Sequence, residues 1–437
     1  DVCSSDLTSL DKLLFFIVFC TPLSFNIESI VEANFGLYLP TEPLMFGAMF
    51  LFFLQLIYTR KYDIRIAKHP ITIALIINLI WIFITCITSE MPLVSFKFLL
   101  ARMWFVITFY FLGTQLFKNS NNLIRFMWLY IIPLLLVIFF TIIRHSTYGF
   151  TIEAGHWVMN PFYKDHTSYG AILAMFFPFL IWQLLKKEQT GSRKITMILL
   201  VSIFSIALAL SYTRAAWLSL VFAFGVYLAF RFKIKFKSLA TLGLISIGIL
   251  FFFQEDLFMK LEKNRQDSST DFAEHVQSMS NVSTDASNLE RINRWSCAIK
   301  MFQEKPFFGW GPGTYMFQYA PFQHSSHLTI ISTNFGDMGN AHSEYLGPLC
   351  ESGILGALTF IVLIGVIIYR SSMLYIQTTN PELKMLVMTL LLGLITYLVH
   401  GILNNYLDTD KASVPFWGFT AMLVAIDIYH SKGQLNS

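Results

Sequence analysis

Residues 195–230 read ITMILLVSIFSIALALSYTRAAWLSLVFAFGVYLAF, a run whose only charge is Arg214. A membrane-crossing helix needs about 20 mostly apolar residues, so this run is too long for one span and long enough for two. Tyr212-Thr213-Arg214 supplies the interruption, and the pattern predicts two helices joined by a tight turn at Arg214.

Carried outward over the 437 residues, the same reading finds roughly twelve apolar runs. They fall at residues 9–26, 39–59, 70–89, 96–117, 123–143, 166–185, 195–211, 214–230, 238–254, 343–369, 384–403 and 412–430. Composition agrees: hydrophobic residues make up 55%, charged residues 13%, and Phe alone numbers 44. Mean hydropathy is +0.58. Too little charge remains to coat soluble domains, which excludes a soluble cytosolic enzyme and implies an all-α polytopic protein of the lipid bilayer. The net charge of +4 is too small for a nucleic-acid footprint. The five cysteines (Cys3, Cys20, Cys86, Cys297, Cys350) are scattered and form no CxxC pair, so neither a disulfide scaffold nor a zinc site is implied. Residues 1–7 lack the charged start of a signal peptide and read as a possible sequencing artefact.

Lys and Arg of short loops gather on the cytoplasmic side. Arg65 and Lys68, Lys118 and Arg125, Arg193 and Lys194, Arg231 and Lys233, then Arg370 and Lys384 fall in alternate loops. Both termini are then cytoplasmic. Residues 8–254 carry spans one to nine, 255–341 form one large outer loop, 342–430 carry spans ten to twelve, and 431–437 are an inner tail. Within the loop, residues 262–290 are rich in Ser, Asp and Asn and read as a mobile segment. Beyond them Leu289, Ile292, Trp295, Ile299 and Phe302 recur at helical spacing with Arg291, Arg294 and Lys300 alongside, predicting an amphipathic helix along the outer interface. Pro306 ends it, and Gly309-Trp310-Gly311-Pro312-Gly313 makes a tight turn.

Outer charges are few, so each can be weighed. Arg214 at the end of a span is either a snorkelling arginine or an anion site. Arg291 lies at the depth of a lipid diphosphate, whose oxygens a guanidinium can grip with two parallel bonds; a solvated helix face is the competing reading, and Arg294 the competing residue. His342 follows Asn340, a predicted cap, so a place in the first turn of a helix would favour its neutral imidazole, the form a general base needs. An interfacial polar residue is the alternative. Lys164, Asp165 and His166 open the sixth span and Arg102 lies inside the fourth; all four read as positioning groups. Glu351 is the one acid well inside a span. Asp408-Thr409-Asp410 looks like a metal-holding acidic pair of nucleotide-sugar transferases, but it faces outward, where nucleotide sugars are absent. No metal or other cofactor is expected. The glycine-rich turn lacks the Lys and Ser/Thr of a phosphate-binding loop, and no HExxH or GxSxG occurs.

Three segments together resemble the O-antigen ligase and polymerase family of bacterial membrane glycosyltransferases. They are Ser211-Tyr212-Thr213-Arg214-Ala215-Ala216-Trp217-Leu218; Glu290-Arg291-Ile292-Asn293-Arg294-Trp295 leading to the 306–313 turn; and Ala341-His342-Ser343-Glu344-Tyr345-Leu346 followed by Glu351-Ser352-Gly353. The resemblance implies about twelve helices in the inner membrane, a periplasmic active site, an undecaprenyl-diphosphate-linked glycan as donor and a hydroxyl acceptor, lipid A core in the ligases. It implies that Arg214 and Arg291 hold the donor diphosphate and that His342 activates the acceptor, with Glu344 and Tyr345 beside it in the same motif. A polymerase or a protein O-oligosaccharyltransferase would use the same donor and similar residues; a lipid-linked glycan transporter would instead line a midplane cavity with ionisable groups.

Overall fold

The computed structural model of the protein describes residues 2–27, 36–59, 62–186, 191–234, 286–323 and 339–431. The chain starts with helix α1 (Val2–Cys20) and a two-stranded hairpin pairing Phe25 with Leu39 and Asn26 with Tyr38. Among the described residues, ten further helices are long and apolar enough to cross a membrane: α2 (Thr41–Thr59), α3 (Pro70–Ile87), α4 (Pro92–Leu116), α5 (Asn121–Thr147), α6 (His166–Leu185), α7 (Ser192–Leu210), α8 (Arg214–Arg231), and, after the amphipathic helix α9 (Ala286–Glu304), α10 (Leu346–Gln377), α11 (Pro381–His400) and α12 (Asp410–His430).

Helices are the expected answer to this sequence because each satisfies its backbone polar groups internally, as a lipid surrounding demands. Their ends are written locally. Pro70, Pro92 and Pro381 occupy first positions, where a missing N–H costs nothing. Asn380 caps α11 by accepting from the N–H groups of Glu382 and Leu383.

Ten spans among the described residues stand against the twelve expected. The ninth expected span, 238–254, lies outside the described residues, as do 262–285 of the loop read as mobile. The first, expected at 9–26, corresponds to α1 but ends at Cys20: Pro22 cannot continue the helix, and Lys411 Nζ takes the carbonyl oxygens of Thr21 and Ser24 as hydrogen-bond acceptors. The 195–230 run divides into α7 and α8 as expected, with Tyr212 at φ +48° in the turn.

The centre of the bundle is α6, α11 and α12, where 72%, 78% and 83% of the apolar stretch is buried by other parts of the protein, against 17% in α7. Peripheral helices expose Ile77, Ile143, Val221 and Phe222, side chains that only an apolar solvent accommodates without cost. Asp410 is fully buried and its carboxylate accepts from the hydroxyls of Ser24 (2.5 Å) and Thr41 (2.7 Å), tying α12 to the hairpin, while Asp408 remains exposed. The two carboxylates weighed as a metal-holding pair thus have separate surroundings.

Candidate active site

The N-terminal ends of α6 and α8 are joined first. Thr213, immediately before Arg214, donates its hydroxyl to the carbonyl of His166 at 2.8 Å. The contact requires Gly170: a Cβ there would meet the Thr213 Cβ at 2.7 Å. Arg214 therefore begins α8 beside the start of α6. Asp165 caps α6, accepting from the Ser168 N–H and the Thr167 hydroxyl at 2.7 Å each. Burial opposes its ionisation, but these bonds and neighbouring His166 outweigh it and hold its carboxyl below the usual value. The imidazole of His166 stacks on His156, with ring centroids 4.3 Å apart.

Helix α9 supplies two arginines with different surroundings. Arg294 is buried, donates to Glu290 at 2.6 Å, and stacks its guanidinium 4.1 Å above the Tyr319 ring. Arg291 sits on the adjoining face, where burial pulls its pKa down and Tyr406 and Asp165 partly offset the effect; a guanidinium nonetheless stays charged. Arg214 and Arg291 are close enough to act on each other electrostatically. The packed face of α9 is Glu290, Asn293, Arg294, Cys297, Ala298 and Met301. It is not the apolar stripe expected to define the helix: Ile292, Trp295 and Phe302 are half-buried and Ile299 is exposed, so that stripe is left for the interface.

His342 is not in the first turn of a helix. It has φ +46°, and α10 starts four residues later at Leu346. Asn340 accepts from the His342 N–H at 3.1 Å rather than capping α10, and Ser343 accepts from the N–H groups of Tyr345 and Leu346. The imidazole pKa is brought down to about 4 by burial and then by the guanidinium groups of Arg291 and Arg294. The neutral form that a base needs is present, but its cause is burial and like charge instead of a helix dipole.

Glu344 is an anchor. Its Oε1 accepts from the Tyr397 hydroxyl (2.5 Å) and the N–H groups of Tyr406 (2.7 Å) and Leu407 (2.9 Å), while its own N–H donates to the Gly401 carbonyl (2.8 Å). Burial raises its pKa, and the Tyr397 hydroxyl works the other way. Tyr345 donates to the Leu398 carbonyl at 3.0 Å. Both join the His342 loop to the outer end of α11. Arg102 faces a separate small cavity of about 40 Å3, lined also by Asn78, Pro312, Glu344 and Glu351, and Lys164 is exposed near Asp408. Glu351 accepts from the Tyr315 N–H at 2.9 Å and so pins the glycine-rich turn to α10. There α10 breaks at Gly353 (φ 70°), where a Cβ would strike the Phe307 carbonyl and Ile354 N–H donates to Pro306.

Arg214, Arg291, His342, Asp165 and His166 are thus gathered at one end of the bundle, with Arg294, Glu344 and Tyr345 as its supports and Arg102 and Lys164 to one side. His156, His400 and Tyr406 also belong to the gathering and were not picked out by sequence reasoning. The available signal was weak: His400 ends an apolar run, and Tyr406 follows it within a short polar segment.

Residues 195–361 match the family described as O-antigen ligase. That stretch contains Arg214, Arg291, Arg294, His342, Glu344 and Tyr345, whereas Arg102, Lys164, Asp165, His166 and His400 lie outside it. No curated protein gives a significant match to the chain.

Proposed function

We propose that the chain is a member of the O-antigen ligase family, which its residues 195–361 match, and that it transfers a glycan from undecaprenyl diphosphate to an acceptor hydroxyl, with lipid A core as the expected acceptor. The observation that carries this reading is the convergence of two arginines from separate helices, Arg214 and Arg291, with the half-buried imidazole of His342 in electrostatic reach of Arg291.

Breaking the bond between sugar and diphosphate leaves negative charge on the departing lipid diphosphate. In this reading Arg214 and Arg291 receive its oxygens, and fixed charges that need no rearrangement are the most effective stabilisers of such a leaving group. His342, neutral at physiological pH, takes the proton of the acceptor hydroxyl as its oxygen attacks the anomeric carbon from the face opposite the diphosphate. One displacement inverts that centre. The proton leaves on the imidazole and the electron pair of the broken bond leaves on the diphosphate, so neither ATP nor a second nucleophile is required. Asp165 and Glu344 hold the loops, and the site faces the periplasm in the inner-membrane orientation implied by the charged loops.

The test is glycan transfer in vesicles containing purified protein, undecaprenyl-diphosphate-linked glycan and lipid A core acceptor, in EDTA and without ATP. Product that disappears in His342→Ala supports a ligase. Product made by His342→Ala at the wild-type rate overturns the role of His342. Lengthened lipid-linked glycan in place of transfer to lipid A core identifies a polymerase.

A further inference from the structure

Between α11 and α12, the turn from His400 to Asn405 combines a satisfied backbone with side chains that are not satisfied. The Gly401 carbonyl accepts from Glu344, and the N–H groups of Gly401, Ile402 and Leu403 donate back into the end of α11. In contrast, both ring nitrogens of His400, Nδ2 of Asn404 and Oδ1 of Asn405 are shut from solvent and meet no hydrogen-bond partner among the described residues. His400 is 1% exposed and Asn404 3%. Buried polar atoms in folded proteins are nearly always paired, so four unmet ones in six residues need hydrogen-bonding groups that the described residues do not supply. The turn lies within the gathered site: the charged groups acting on His400 are Arg291 and Asp165, and its ring lies 5.9 Å from that of Tyr406.

The chemistry of the unmet atoms selects the partner. A neutral imidazole offers one donor and one acceptor, and an asparagine amide offers both kinds whichever way it is oriented. A diphosphate only accepts, so it cannot satisfy the set. Hydroxyl groups donate and accept, as do the substituents of a sugar ring. A diphosphate on Arg291 is joined on one side to a polyprenyl chain, which offers no hydrogen bonds, and on the other to a sugar, which does. We propose that His400, Asn404 and Asn405 bind the sugar directly bonded to the donor diphosphate and give the enzyme its preference for sugar-bearing over bare lipid diphosphate. This rests on the reading of Arg291 as a diphosphate ligand.

The experiment measures binding of undecaprenyl diphosphate and of undecaprenyl-diphosphate-linked N-acetylglucosamine to the full chain in nanodiscs. The wild type should bind the sugar-bearing lipid roughly tenfold or more tightly than the bare one, the worth of one or two net hydrogen bonds. His400→Phe, Asn404→Leu and Asn405→Ala should each reduce that preference while leaving affinity for the bare lipid unchanged. Their thermal midpoints should hold or rise, because an unmet polar group is removed from the apo protein. A merely structural role predicts lowered midpoints with the preference intact, and that result overturns the proposal, as does a wild type that binds both lipids equally. Arg291→Lys keeps the two failures apart: it should weaken both lipids alike. If it weakens neither while the preference still depends on His400, the diphosphate assignment fails and the sugar site stands.

Discussion

The indole Nε1 of Trp295 donates to the main-chain carbonyl of His342 at 3.2 Å. The helix that carries Arg291 therefore also holds the loop that carries His342, and the proposed diphosphate ligand and the proposed base are set relative to each other by one hydrogen bond four residues from the arginine.

His342→Ala should lower transfer by about 10²–10⁴-fold, the usual worth of a positioned general base, while membrane insertion and thermal midpoint stay near wild type. Transfer rates and scanning calorimetry on the same preparation check both halves.

Arg291 and Arg294 should respond differently to mutation. Arg291→Lys keeps a charge but loses the planar fork, so activity should fall tenfold or more with stability unchanged. Arg294→Ala removes a buried guanidinium that pairs with Glu290 at 2.6 Å and stacks on the Tyr319 ring, and should cost about 3–5 kcal/mol of stability. Denaturation midpoints separate the two, and loss of stability in Arg291→Lys would reverse their assigned roles.

The pH profile of transfer should reflect the environment of His342. Burial and two guanidinium groups disfavour the charged imidazole, placing its pKa at about 4 against the usual 6.5. The base therefore stays neutral through pH 5–7, and activity should fall only as pH drops towards 4. Removing a nearby positive charge raises that pKa, so the residual activity of Arg291→Gln should decline at a higher pH. An acid limb near 6.5 in the wild type would contradict the assignment.

Gly353→Ala should destabilise the protein. The residue sits at φ 70° and its missing side chain admits the Phe307 carbonyl. At φ 70° and ψ −171° the backbone lies in a region open almost only to glycine, which costs an L-residue roughly 1–3 kcal/mol before any clash is counted. A thermal midpoint within error of wild type would show that the break in α10 can straighten.

The apolar runs were legible because a bilayer imposes a length and a composition that can be counted, and the division at Tyr212-Thr213-Arg214 was marked by a single charge. Arg214, Arg291 and His342 were singled out by the motifs around them, and the fold brings Arg214 and His342 each within electrostatic reach of Arg291. The cause of the neutral imidazole was not legible: it depends on burial and on guanidinium groups about fifty residues away in sequence, and Asn340 gave a local cue for a cap that the fold uses otherwise. The choice between Arg291 and Arg294 was equally hidden, because the packed face of α9 contains Asn293, Arg294 and Cys297 and not the apolar stripe. His400 escaped notice because its meaning lies in what it fails to touch, which only coordinates reveal.

Glu344 collects donors from a segment about 60 residues further along the chain. Neither segment can be exchanged alone: moving the His342 loop into a relative would leave a carboxylate without its three donors, and moving the 401–409 turn would strand two of them, the N–H groups of Tyr406 and Leu407. Changes of substrate range that pass through this corner of the molecule are thus inherited as a matched pair, and a chimaera should respect that pairing.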